Sequence, residues 1–180
     1  MKIDKEDTSS DFEGTIIDLE TTGAFDQRFN DSRRYANIRP VLFGFITNSG
    51  LEIHCAENDI DMKKLHEKIS GILVDLQRPF YSFNAHFEMG VLSHTLKKEV
   101  VFDCELNSEK YEAKKYAVAN LRLSNYDDPF FDNGLLCHAS WKSGKIDSII
   151  RHNRADLLKE RDILLKRGFR KPDAFSFVGL

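Results

Sequence analysis

The run GTIIDLETTG, residues 14–23, decides how the rest of the chain is read. Its β-branched and apolar residues mark a short buried strand over 14–20 that ends in two carboxylates, Asp18 and Glu20. On a strand, residues two apart share a face, so Asp18 and Glu20 aim together while Ile17 and Leu19 face the core. Two carboxylates held side by side at the end of a buried strand repel each other. A hard divalent cation, which prefers oxygen ligands, relieves that repulsion. An isolated Asp-x-Glu reads first as a solvated strand end; the Thr21-Thr22-Gly23 that follows makes this run more specific.

Working outward, VLFGFIT (41–47), a turn at Asn48-Ser49-Gly50 and LEIHCA (51–56) read as a hairpin, giving three consecutive antiparallel strands. The period then changes. Met62, Leu65, Ile69, Ile72, Leu73 and Leu76 recur at three and four behind a cap at Asn58 or Asp59, which predicts a helix. PFYSF (79–83) is a fourth strand, with Asn84 as N-cap of a helix running to about residue 96. VVFD (100–103) is a fifth. Residues 108–121 read as helical and NYDDPFFDNG (125–134) as turn-rich. Ile146, Ile149, Ile150, Leu157, Leu164 and Leu165 mark a long helix from 146 to about 167, ended by Gly168. Strands followed by alternating helices and strands give an α/β layer fold. Residues 1–12 read as a mobile leader, 13–168 as one domain and 169–180 as a tail.

Composition limits the function classes. The chain has 180 residues and 26 Lys+Arg against 29 Asp+Glu, a net charge of −3. At roughly 100–200 residues per domain this is one domain, able to bury roughly 70% of its unfolded surface without disulfides or a structural metal. No apolar run approaches the ~18–20 residues needed to span a bilayer, and the polar start lacks a signal peptide's apolar stretch. Cys55, Cys104 and Cys137 are odd in number and form no CxxC pair, which fits a reducing compartment. The expectation is a cytoplasmic protein without a membrane partner.

Two further motifs carry charge. In FNAHFEMGVL (83–92), Glu88 lies one turn beyond Asn84 on the same helix face, with Phe87 and Val91 toward the core. In RHNRADLL (151–158), His152 and Asp156 are four apart and share a face. A histidine beside a metal-ligating carboxylate can serve as general base for activating water. Taken singly, each motif reads equally as an ordinary helix-stabilising arrangement.

Together and in this order, DLETTG at 18–23, NAHFE at 84–88 and HNRAD at 152–156 resemble the DEDD superfamily of ribonuclease H-like 3′–5′ exonucleases, and more narrowly the YprB-like ribonuclease H-like domain. The resemblance covers nearly the whole chain, about 14–165. It implies a ribonuclease H-like α/β fold: a five-stranded mixed sheet, the first three strands antiparallel, flanked by helices. It also implies a metal-dependent nuclease, a 3′–5′ exonuclease with two divalent cations, Mg²⁺ or Mn²⁺. Asp18 would bridge the two ions, with Glu20, Glu88 and Asp156 completing the shells and His152 helping to activate water. Thr21, Thr22, Gly23, Ala24 and Phe25, with Asn84, would contact the terminal nucleotide, although Phe25 reads equally as a core residue. Glu88 stands where the family carries Asp, one methylene longer. Asp103 stands where relatives often carry an Asp, and also reads as a turn or cap residue.

Nucleic acid, DNA or RNA, is the expected partner, with a protein partner to supply specificity. Basic clusters at Lys97–Lys98, Lys114–Lys115 and 159–171 read as solvated faces or as a track for a phosphate backbone. Trp141 reads as core, and His54, His66 and His138 as structural or solvated. Two alternatives stay open: a catalytically weak or inactive nucleic-acid-binding or protein-interaction module on the same fold, and a structure-specific endonuclease.

Overall fold

A computed structural model describes residues 1–110 and 112–180. The chain runs β1 (Lys2–Asp7), β2 (Thr15–Thr22), β3 (Arg39–Ile46), β4 (Gly50–Cys55), α1 (Asp59–Asp75), β5 (Phe80–Ser82) and α2 (Ala85–Leu96). It continues through β6 (Cys104–Glu105), α3 (Lys114–Asn120), α4 (Leu135–Lys142) and α5 (Ile146–Arg167). The strands form one open mixed sheet in the order β1-β4-β3-β2-β5-β6. β1 through β4 pair antiparallel, and β2, β5 and β6 pair parallel. The fold is therefore α/β, with the expected hairpin and the three consecutive antiparallel strands in place.

Helices cover both faces. α5 lies over β2, β3 and β4, packing Ile149, Leu157 and Ile163 with Ile16, Leu42, Ile46 and Ile53. α1 and α2 cover the other face, where Leu65, Ile69, Val91 and Leu92 meet Ile17, Leu19 and Phe43. Each of these buried aliphatic or aromatic side chains contributes roughly 1.5–3 kcal/mol. Alternation along β2 thus sends Ile17 and Leu19 to one core and leaves Asp18 and Glu20 under α5.

The sheet has six strands where the sequence predicts five. The residues expected as a mobile leader supply the extra one: β1 pairs with β4 from Lys2↔Cys55 to Asp7↔Gly50. KIDKED shows no apolar alternation because it is an edge strand held by its backbone ladder, and its charges suit an unpaired edge. The fifth expected strand, 100–103, forms instead just beyond that range. Val100 and Phe102 are buried, but the Val100 N–H donates to Ser93 Oγ at 2.9 Å, and the ladder forms at Cys104–Glu105.

Helix bounds differ where packing outweighs propensity. Asn58 caps α1 as expected, accepting from the backbone N–H groups of Ile60 and Asp61 at 3.0 Å. α5 spans the expected 146–167, stopped by Gly168 at φ 77°. Asn84 precedes α2, yet its side chain makes no capping bond and is exposed. Of the helix expected over 108–121, α3 forms at Lys114–Asn120, and Tyr111 lies outside the described residues. The turn-rich segment before α4 holds four non-glycine residues at positive φ, Tyr126, Asp127, Phe131 and Asp132, which break any regular period there. The tail is docked: Ser32 N–H donates to Ser176 O at 3.1 Å, and Phe175 and Phe177 pack on the α1–α2 side. No described helix is long and apolar enough to cross a membrane.

Candidate metal centre

Beyond the carboxyl ends of the parallel pair β2 and β5 lies a cavity of about 440 Å³. Ligand sites in open α/β sheets favour this end of the strands. Asp18 and Glu20 reach it from β2, Glu88 from the first turn of α2, His152 and Asp156 from α5, and Lys114 from the start of α3. The β2–β3 register shifts between Glu20 and Thr21, just past the acids. Gly23 then turns at φ 105°, with the Asn37 carbonyl 2.1 Å from where a Cβ would stand, so only glycine fits.

Among the described residues, Asp18, Glu20 and Asp156 each offer a carboxylate oxygen, all within 4.8 Å of one another. Glu20, Cys137 and His152 form a second such group, and Asp128, His152 and Asp156 a third. His152 is the hinge between them. Its Nδ1 lies 2.7 Å from Asp128 Oδ1, and its Nε2 stands 3.7 Å from both Glu20 Oε1 and Asp156 Oδ2. Asp18 is fixed from α5, its Oδ2 accepting from Asn153 Nδ2 at 2.7 Å. Gly44, paired with Asp18 across the ladder, makes room for that contact: a Cβ there would stand 1.9 Å from Asn153 Oδ1.

Charge among these buried side chains is heavily perturbed. Burial pushes the Glu20 carboxyl up to about 8, opposed by the His152 charge and reinforced by Asp18 and Asp156. Asp18 is raised by burial against the pull of Lys114, and Glu88 and Glu160 are raised well above the usual carboxylate range by burial first. Burial alone would lower His152, but the Asp128 hydrogen bond and the Glu20 and Asp156 charges outweigh it, lifting the imidazole to about 9. Asp128 goes the other way: hydrogen bonds from His152 and Lys159 overcome burial and hold it well below its ordinary value.

These donors suit a hard divalent cation. Asp18, Glu20 and Asp156 supply oxygens from β2 and α5, and Glu88 Oε2 is buried without a hydrogen-bond partner among the described residues. An orphaned buried carboxylate oxygen in a like-charged cluster is the electrostatic deficit that such an ion would fill.

Most residues singled out in the sequence converge here. Asp18, Glu20, Glu88, His152 and Asp156 all line the cavity, as do Thr21, Gly23, Ala24, Phe25 and Asn84. Glu88 belongs to none of the compact three-donor groups. Thr22 is not in the lining; its Oγ1 lies 2.7 Å from Nδ1 of His138, which is. Phe25 is at the rim rather than in the core, 40% exposed and edge-on to Tyr35 and Phe87. Asp103 stands apart, accepting from Phe80 N–H at 2.8 Å and pairing with Arg78 at 2.9 Å, as a cap does.

Several charges of the basic run at 159–171 are already paired within the chain. Lys159 is fully buried against Asp128 and Asp132 at 2.7 and 2.6 Å, Arg161 pairs with Asp162, and Arg167 with Glu112. Glu160, four residues after Asp156 and so on its face, also enters the cluster. Its spacing was readable; the partnerships of Lys114, at the start of α3, and of Asp128, in the turn-rich loop, were not, because they join groups distant in sequence. No protein-family model, curated protein or solved structure matches the chain.

Proposed function

We propose that the chain is a divalent-cation-dependent phosphodiesterase of nucleic acid, a 3′–5′ exonuclease on a ribonuclease H-like scaffold. The observation that carries the reading is the set of three carboxylates, Asp18, Glu20 and Asp156, with oxygens inside 4.8 Å at the mouth of a cavity. A central strand antiparallel to a hairpin on one side and parallel to two strands on the other supports the scaffold assignment.

A divalent cation held by these carboxylates would supply Lewis acidity toward the phosphate and a low-pKa water. The chain's own groups do the rest. Asp128 fixes the His152 ring by Nδ1, leaving Nε2 turned toward Glu20 and Asp156, where it can accept the proton of the attacking water. That role needs a neutral imidazole, so bound cation charge must replace imidazolium as the counter-charge of those acids. Asn153 keeps Asp18 aimed, and Phe25 offers a ring at the rim on which a terminal base can stack. A binding-only module is the second reading, favoured by Glu88 lying outside the compact donor groups.

The test is cleavage of 3′- and 5′-labelled DNA and RNA oligonucleotides, single-stranded and duplex, with Mg²⁺, Mn²⁺ or EDTA, by the protein and its Asp18→Ala variant. Metal-dependent laddering from the 3′ end, abolished in the variant, is the expected result. Internal cuts lost in the variant would make the enzyme an endonuclease. Silence on every substrate from folded, metal-supplied protein would favour the binding module.

A further inference from the structure

Lys114 Nζ sits where a cation belongs in the acidic cluster. It lies 2.6 Å from Glu160 Oε1, 2.8 Å from Asp156 Oδ2 and 3.2 Å from Asp18 Oδ1. We infer that the Lys114 ammonium takes the place of one divalent cation, so that this site holds a single divalent ion beside a built-in lysine rather than two ions. The inference rests on the reading of the cluster as a metal centre.

Three observations carry it. Divalent ions sit roughly 2.0–2.6 Å from carboxylate oxygens. An ion bridging Asp18 Oδ1 and Asp156 Oδ2 would therefore have to share the position of the ammonium that already contacts both. The side facing Glu20 is different. There an oxygen from each of Asp18, Glu20 and Asp156 lies within 4.8 Å of the others, and the nearest nitrogen to Glu20 Oε1 among the ion pairs is His152 Nε2 at 3.7 Å, whereas Lys159 Nζ stands 3.6 Å from Asp156 Oδ1.

The third observation is the anchor. Glu160 is fully buried on α5, one turn beyond Asp156, and Lys114 is its ion-pair partner among the described residues. Were Lys114 expelled by an incoming ion, Glu160 would be left as an unpaired buried carboxylate, which proteins strongly disfavour. Glu160 thus holds the lysine in, and it lies outside the three-donor groups that could take an ion. Lysine serves well here: a compact point charge on a long apolar stem can reach into a buried anion cluster.

The experiment counts Mn²⁺ ions per chain, by equilibrium dialysis with elemental analysis and by electron paramagnetic resonance of the bound ion, up to millimolar free Mn²⁺. The expected result is one ion in the native protein and two in Lys114→Met, where Asp18 and Asp156 are freed to bridge a second. Lys114→Met/Glu160→Gln removes both charges of the buried pair, guards against a folding defect in the single variant, and is expected to hold two ions as well. Two ions in the native protein would overturn the inference while leaving the metal centre intact, as would one ion in every variant. No ion in any of the three proteins would instead defeat the metal-centre reading, and this inference with it.

Discussion

Asp128 and His152 form a fully buried pair, Oδ1 to Nδ1 at 2.7 Å, and through it the turn-rich loop 125–134 holds the ring facing the acidic cluster. The other oxygen of Asp128 takes Lys159 Nζ at 2.7 Å, so one carboxylate serves two buried cations. Asp128→Asn removes the charge from both. Breaking a buried pair on one side costs about 3–5 kcal/mol, readable by urea unfolding. The His152 imidazole, lifted to about 9 in the native protein, should fall toward its ordinary value, followed by its NMR titration. An unchanged titration would show that Glu20 and Asp156 alone set it.

Gly44→Ala should loosen Asp18 without touching a ligand. The added Cβ would stand 1.9 Å from Asn153 Oδ1 and displace the amide that donates to Asp18. Overpacking of this kind costs about 1–3 kcal/mol, and loss of a group that orients a ligand weakens metal binding about 10–100-fold. Mn²⁺ titration checks the second figure. Gly71→Ala is the control: on α1 nothing lies within 4 Å of its would-be Cβ, so it should stabilise by about 0.5–1 kcal/mol.

Metal-free stability should fall as pH rises from about 5 to 9. The Glu20 pKa is raised to about 8 in the fold, so the folded state prefers the protonated acid, and stability is lost as that proton leaves. The His152 pKa is also raised, to about 9, so its contribution is full below its ordinary value near 6.5 and disappears through pH 9. Both act in the same direction and together amount to a few kcal/mol. Saturating Mn²⁺ should flatten or reverse the slope, because the ion binds the deprotonated acids. Urea unfolding at pH 5, 7 and 9 measures it; a flat metal-free profile would contradict the buried-cluster electrostatics.

Much of this architecture was legible in the sequence because it rests on period. The two-residue alternation of IIDLE places Asp18 and Glu20 under α5, and the spacing of Ile149, Ile150, Leu157 and Leu164 sets α5 with His152 and Asp156 on one face. What escaped has no period. β1 is a charged edge strand stabilised by backbone pairing, invisible to a hydrophobic pattern. Lys114 opens α3 and Asp128 lies in the turn-rich loop, and the partners of both are set by buried ion pairs across the fold that local spacing does not encode. Lys159 was concealed in a basic run, where charge density suggests solvent, yet two aspartates hold it in the interior.

The central claim, that the acidic cluster is a divalent-cation site, is tested most directly by melting the protein and its Glu20→Gln variant at pH 8 with and without Mn²⁺. Without metal, the variant removes a buried charge that burial disfavours, and should melt at or above the native temperature. Mn²⁺ at about 100 times its dissociation constant adds about 2.7 kcal/mol, equivalent to roughly 5–10 °C for a chain of this size. The account predicts that rise in the native protein and at most half of it in the variant. No rise in the native protein, or an equal rise in both, would contradict it.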